Sequence, residues 1–169
     1  SDSIFIKPFY IKDFFDSDNN LYTVMSNIED RIVEIASDSI NVDINLEEAK
    51  LFMKKDRLAV QKKFKRKGEI LEFGPPPVLW SSKVVKDFYN NYLLKNKKTF
   101  IDIIKEISIE YNRYGEWLLK TKCIPLKPIE PLFKNISSEN QYIGLIEKNI
   151  SKSDLKESYI GINMQTNWS

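Results

Sequence analysis

Gly74-Pro75-Pro76-Pro77 bars any helix from running through the middle of this chain. Each proline fixes its own φ and lacks a backbone N–H, and three in a row are stiff in the polyproline II conformation. The fold must therefore be assembled from elements on either side of a connector at 74–80, where a subdomain boundary is expected. The chain has 169 residues, a single-domain length at which roughly 70% of the unfolded surface can be buried. One domain over 1–169 is the expectation. Its start at Ser1-Asp2-Ser3, without Met, reads as a piece excised from a larger protein.

Ahead of the connector, Ser3 to Ile11 (SIFIKPFYI) is β-branched and aromatic, the composition of a strand, and Pro8 restricts it to a sheet edge. The polar DFFDSDNN reads as a turn. From Leu21, apolar residues recur as Leu21, Val24, Met25, Ile28, Ile32 and Ile35, which predicts an amphipathic helix ending near Ser37. Asn45 with Glu48 is a capping-box pattern, opening a second helix from Leu46 to about Arg66 that Gly68 stops. Beyond the connector, Ser81 or Ser82 caps a third helix carrying Val84, Val85, Phe88, Tyr92 and Leu93. The chain turns around Lys95 to Lys98, and Thr99 opens a fourth helix with Ile103, Ile104, Ile107 and Tyr111, interrupted at Gly115. Pro125, Pro128 and Pro131 keep the next stretch extended. Two similar strings, Tyr142-Ile143-Gly144-Leu145 and Tyr159-Ile160-Gly161-Ile162, read as paired antiparallel strands. The expected class is α+β, mainly helical with about four helices, and a small antiparallel sheet from the N-terminal and C-terminal segments.

The chain contains no histidine, so it lacks the commonest general base, the usual metal ligand and the side chain that titrates near neutrality. Serine and cysteine triads and zinc hydrolases are excluded. The single cysteine, Cys123, can form neither an internal disulfide nor a cysteine-based zinc site. It reads as a core residue and fits an intracellular, reducing compartment, with cytoplasm and nucleus not distinguished. No apolar run approaches the length of a membrane span, and no phosphate-binding glycine loop or dinucleotide fingerprint is present. No catalytic residue, cofactor or metal site is assigned, and the reading leans away from an enzyme.

Charge supplies the leading functional signal. Lys54 to Lys67 (KKDRLAVQKKFKRK) holds eight basic residues and one acid in a chain whose net charge is only +2. On a helix, Leu46, Ala49, Met53, Val60 and Phe64 fall on one stripe, while Lys54, Lys55, Lys62, Lys65 and Arg66 fall nearly opposite. With Lys63 and Lys67, those cations are the expected contacts to a nucleic-acid backbone, which needs positive charge and no base-specific chemistry. Leu51 and Leu58, interspersed among them, imply that something else packs on that face. Trp80, Tyr92 and Trp117 are the candidates for base stacking.

Other patterns are weaker. Lys122-x-x-Pro125-x-x-Pro128 matches a basic polyproline ligand for a partner protein, although flanking apolar residues fit an ordered connector. Asp16-x-Asp18-x-Asn20 resembles the first ligand positions of an EF-hand loop, but Leu21 replaces the required glycine and Asn27 the last glutamate, so a side-chain-stabilised turn is expected. Asp13, Asp16, Asp18, Glu69 and Glu72 could serve a Mg²⁺ site without any specific spacing. Asn-x-Ser sequons at Asn135, Asn149 and Asn167 stand against about one or two expected by chance and do not argue for secretion.

The expectation is a non-catalytic domain of a larger intracellular assembly that binds RNA or a single strand through the helix at 54–67. The alternative is a protein-interaction module using the proline segments 75–77 and 125–131. A nucleotide- or cap-binding fragment, or a metal-dependent phosphoryl-transfer fragment, ranks third. No membrane association is expected.

Overall fold

The computed structural model describes residues 2–38, 46–75, 77–107 and 109–165. Asn45, Pro76 and Asn167, used in the sequence reading, lie outside the described residues. In chain order the elements are β1 (Asp2–Phe5), β2 (Thr23–Val24), β3 (Ser26–Asn27), α1 (Ile28–Asp38), α2 (Leu46–Lys63), β4 (Leu71–Glu72) and α3 (Ser82–Phe88). There follow α4 (Phe100–Glu106), α5 (Glu110–Thr121), β5 (Pro128–Ile129), β6 (Phe133–Ile136), α6 (Glu139–Glu147), α7 (Lys152–Ser158) and β7 (Gly161–Met164). This is a mixed α+β fold, but the expected four helices and single antiparallel sheet are corrected: the described residues form seven α-helices and three small sheets.

The corrections have physical causes. The helical period that starts at Leu21 is overridden as far as Asn27 by pairing with distant strands. β2 runs parallel to β5, with Thr23 N–H donating to Lys127 O at 2.7 Å, and β3 pairs antiparallel with β4. The helix begins only at Ile28, where the Asn27 side chain accepts from Glu29 N–H at 2.7 Å. The fourth expected helix is two, since α4 ends at Glu106 and α5 begins at Glu110, and Gly115 does not interrupt the second. A Cβ at residue 115 would lie 2.1 Å from the Phe73 ring, so this glycine lets the β4 segment pack tightly against α5.

Tyr142 to Leu145 is not a strand. It lies inside α6, whose first turn is capped by Ser138 Oγ accepting from Gln141 N–H. The principal sheet has the order β1-β7-β6, with β1 antiparallel and β6 parallel to β7. Parallel neighbours cannot be joined by a tight turn and need a crossover, and α6 and α7 form it. α7 opens with a full capping box, Ser151 and Asp154 each bonding the other's backbone N–H.

Two apolar cores result. The helical one joins Val60 of α2 and Phe64 just beyond its end, Val84 and Phe88 of α3, Ile103 of α4 and Trp117 of α5, and so draws on both sides of the 74–80 connector. Phe64, fully buried, meets the rings of Phe88, Tyr92 and Trp117 at 5.9, 5.0 and 5.7 Å between centroids, all edge to face. The second core packs Ile6, Ile136, Leu145 and Ile162 around the sheet. Cys123 is a free thiol packed against the helical core.

Candidate functional site

α2 carries most of the basic run on a continuous helix whose inner stripe is apolar at Val60, and at Phe64 just beyond its end, and polar at Arg57 and Gln61. The eight cations divide into two groups of different kinds. Arg57 lies buried against Glu72 of β4, its Nε donating to Glu72 Oε2 at 2.7 Å. Arg66 forms a two-pronged pair with the buried Glu116 of α5, Nη2 to Oε1 at 2.8 Å. Lys54 lies 3.5 Å from Glu29, and Lys63 pairs with Glu106 of α4. These four tie α2 to its neighbours.

The other four, Lys55, Lys62, Lys65 and Lys67, are exposed, and none has an ion-pair partner among the described residues. Lys55 and Lys62 are seven positions apart and so within about 20° of one another around the helix. Lys65 and Lys67 continue past its end. The helix terminates when Lys65 takes a left-handed backbone, φ 53°, with Lys65 N–H bonded to Lys62 O and Arg66 N–H to Gln61 O, both at 3.0 Å. That is a Schellman closure with lysine where glycine is usual. Gly68, the expected stop, lies three residues beyond it. Leu51, 72% exposed, leaves an apolar side chain among the lysines.

Of the three stacking candidates, Tyr92 and Trp117 belong to the helical core, and Trp117 is 4% exposed with its indole Nε1 donating to Asp87 Oδ2. Trp80 is 44% exposed and stacks on Tyr114 at 5.4 Å between centroids with nearly parallel planes. The Tyr114 hydroxyl accepts from Ser81 N–H, which fixes the end of the connector onto α5.

Trp80 also borders an apolar groove of about 290 Å³ that the sequence reading missed. α3 lines it with Val85 and Phe88, α4 with Phe100 and Ile104, and Trp117 lines it from the core side. Exposed apolar residues at 100, 101 and 104 were the available signal, since a helix whose apolar residues exceed one buried stripe presents a second face. Arg113 and Glu110 of α5 are its charged members.

The proline segment is docked. Pro128 is in β5 beside Thr23, Met25 N–H donates to Ile129 O, and Lys127 pairs with Asp16 at 2.6 Å. Lys122 and Pro125 are exposed, Lys122 capping α5 with φ 49°. Asp16 Oδ1 accepts from the backbone of Asp18 and Asn20, a side-chain-stabilised turn, and Lys127 with the Asn20 donors holds its carboxyl far below the usual range. Asn135 is buried and accepts from Asn163 Nδ2. Among the described residues no group of three or more His, Cys, Asp or Glu could hold a metal ion, and no helix is long and apolar enough to cross a membrane. In comparison with known proteins, the chain matches no family model, no curated sequence and no solved structure.

Proposed function

We propose that this chain is a non-catalytic module that binds single-stranded nucleic acid, RNA by preference, through the phosphate backbone and the lysine face of α2. One observation carries the reading: Lys55 midway along α2, Lys62 in its last turn, and Lys65 and Lys67 just beyond it remain exposed and without an ion pair among the described residues, while the other basic residues of the run are matched to acids. Four ammonium groups free of acid partners attract a polyanion and release its counterions. Trp80, the one exposed member of the three stacking candidates, already stacks on Tyr114, so the reading rests on phosphate contacts alone. The lone free thiol accords with an intracellular, reducing site of action for a larger assembly. The reading by which Lys122, Pro125 and Pro128 recruit a partner comes second, because Pro128 is already engaged in β5.

Fluorescence anisotropy of labelled oligouridine tests the proposal. Four phosphate contacts predict that log K falls with log salt at a slope of about −3. Changing Lys55, Lys62, Lys65 and Lys67 to Gln should abolish binding, and each single change should reduce the slope by about 0.7. Arg66 and Lys63 are poor choices for reversal, since both serve ion pairs that hold the fold. Unchanged binding by the quadruple variant would remove the lysine face as the site.

A further inference from the structure

The groove beside Trp80 carries a separate inference, independent of the lysine face. Trp80 and Phe100 are each 44% exposed and Ile104 is 53% exposed, a concentration of large apolar side chains at one concave place. The informative group within it is Arg113. Its Nη1 is shielded from water and has no hydrogen-bond partner, and no ion pair to it occurs among the described residues. Burial pushes the guanidinium below its usual range, and the nearby Glu110 acts in the opposite direction. A desolvated donor without a partner is costly, and turning the half-buried guanidinium so that Nη1 meets a bound acceptor would remove that cost.

We propose that this groove docks a peptide segment of a partner protein, seating one large apolar side chain against Trp80, Phe100 and Ile104 and a carboxylate against Arg113. Planar guanidinium and carboxylate match in two parallel hydrogen bonds, which gives the pairing direction as well as strength. The volume of about 290 Å³ admits roughly one large side chain with its backbone. A nucleic-acid occupant fits less well. No lysine lines the groove, and the Tyr114 hydroxyl and Trp117 indole are already bonded elsewhere, which leaves few groups to read a base edge.

The test is an NMR titration of the isotope-labelled full chain with N-acetyl-tryptophan, N-acetyl-tryptophanamide, acetyl-Trp-Asp-amide and adenosine monophosphate. Signals from 80–88, 100–104 and 110–117 should move, and at least one acid probe should bind about tenfold more tightly than the neutral amide. The stronger acid probe tells whether the carboxylate comes from a chain end or from a side chain. Arg113→Met should erase the acid preference and leave amide binding in place, whereas Ile104→Glu should remove both. Equal affinity for acid and amide in the unaltered chain would overturn the proposal, whatever the variants do. So would tighter binding of the monophosphate, which would make this a base pocket, or shifts on concentrating the chain alone, which would seat a second copy there.

Discussion

Lys65 adopts a backbone conformation that glycine reaches without steric cost. Lys97 and Asn149 do the same at the ends of other helical runs, with Lys98 N–H bonded to Leu93 O and Ile150 N–H to Leu145 O. In each the side chain pays in backbone energy for a position on the surface, and at 65 that position carries a proposed phosphate contact. Lys65→Gly should therefore separate stability from binding. Relief of the left-handed lysine is worth about 1 kcal/mol, or roughly 2 to 4 °C in melting temperature for a chain of this size. Affinity for oligouridine should fall in the same variant. A lower melting temperature on thermal denaturation would contradict the strain argument.

α2 is held by acids that lie far from it in sequence. Glu72, Glu106 and Glu116 come from β4, α4 and α5, and they neutralise Arg57, Lys63 and Arg66. Glu116→Gln should cost about 3 kcal/mol, since it leaves the largely covered guanidinium of Arg66 without its counter-charge. Arg66→Met combined with Glu116→Leu should recover much of that loss, read as the denaturant midpoint at constant slope. A double variant no more stable than the single one would mean the pair also positions something else.

This arrangement explains what could be read beforehand. The concentration of charge is a local property and was legible. Its division into structural and free cations depends on contacts across as many as 50 residues, as between Arg66 and Glu116, and was not. Local caps were equally legible at Ser81 and Thr99. Similar patterns at Ser138 with Gln141 and Ser151 with Asp154 are masked in the sequence by the adjoining Tyr-Ile-Gly strings, whose composition is that of strands. What makes one string a helix and the other the start of a central strand is the pairing of β7 with β1 and β6, a non-local choice that intrinsic propensity does not contain.

At the scale of the molecule, one charged cluster joins the sheet to the helices. Lys134 of β6, almost fully buried, sits 2.8 Å from Glu34 and 2.6 Å from Asp38, both on α1, with Tyr159 beside it. Burial raises the Glu34 carboxyl, but Arg31 and Lys134 outweigh it and hold its pKa below 4.5. Burial lowers the Lys134 ammonium, and the two carboxylates outweigh that and hold it above 10.5. A depressed acid contributes stability that is present above 4.5 and lost as pH falls through its folded value. A raised base contributes stability that is present below 10.5 and lost as pH rises through its folded value. Melting temperature should thus be flat between those limits and decline outside them, and Lys134→Met should lower the plateau and soften the acid decline. An acid decline of unchanged steepness in that variant would assign it to other carboxylates.

The order β1-β7-β6 also governs how the protein would respond to tension. Asp2 is registered with Met164 and Phe5 with Gly161, so the outermost residues of β1 and β7 lie together at one end of an antiparallel ladder. Force drawing residues 2 and 164 apart loads the ladder's hydrogen bonds one after another, as a zipper opens, and not all at once. β1 would peel away at low force. β7 would then meet the shear resistance of its parallel neighbour β6, with the helical core still intact behind it.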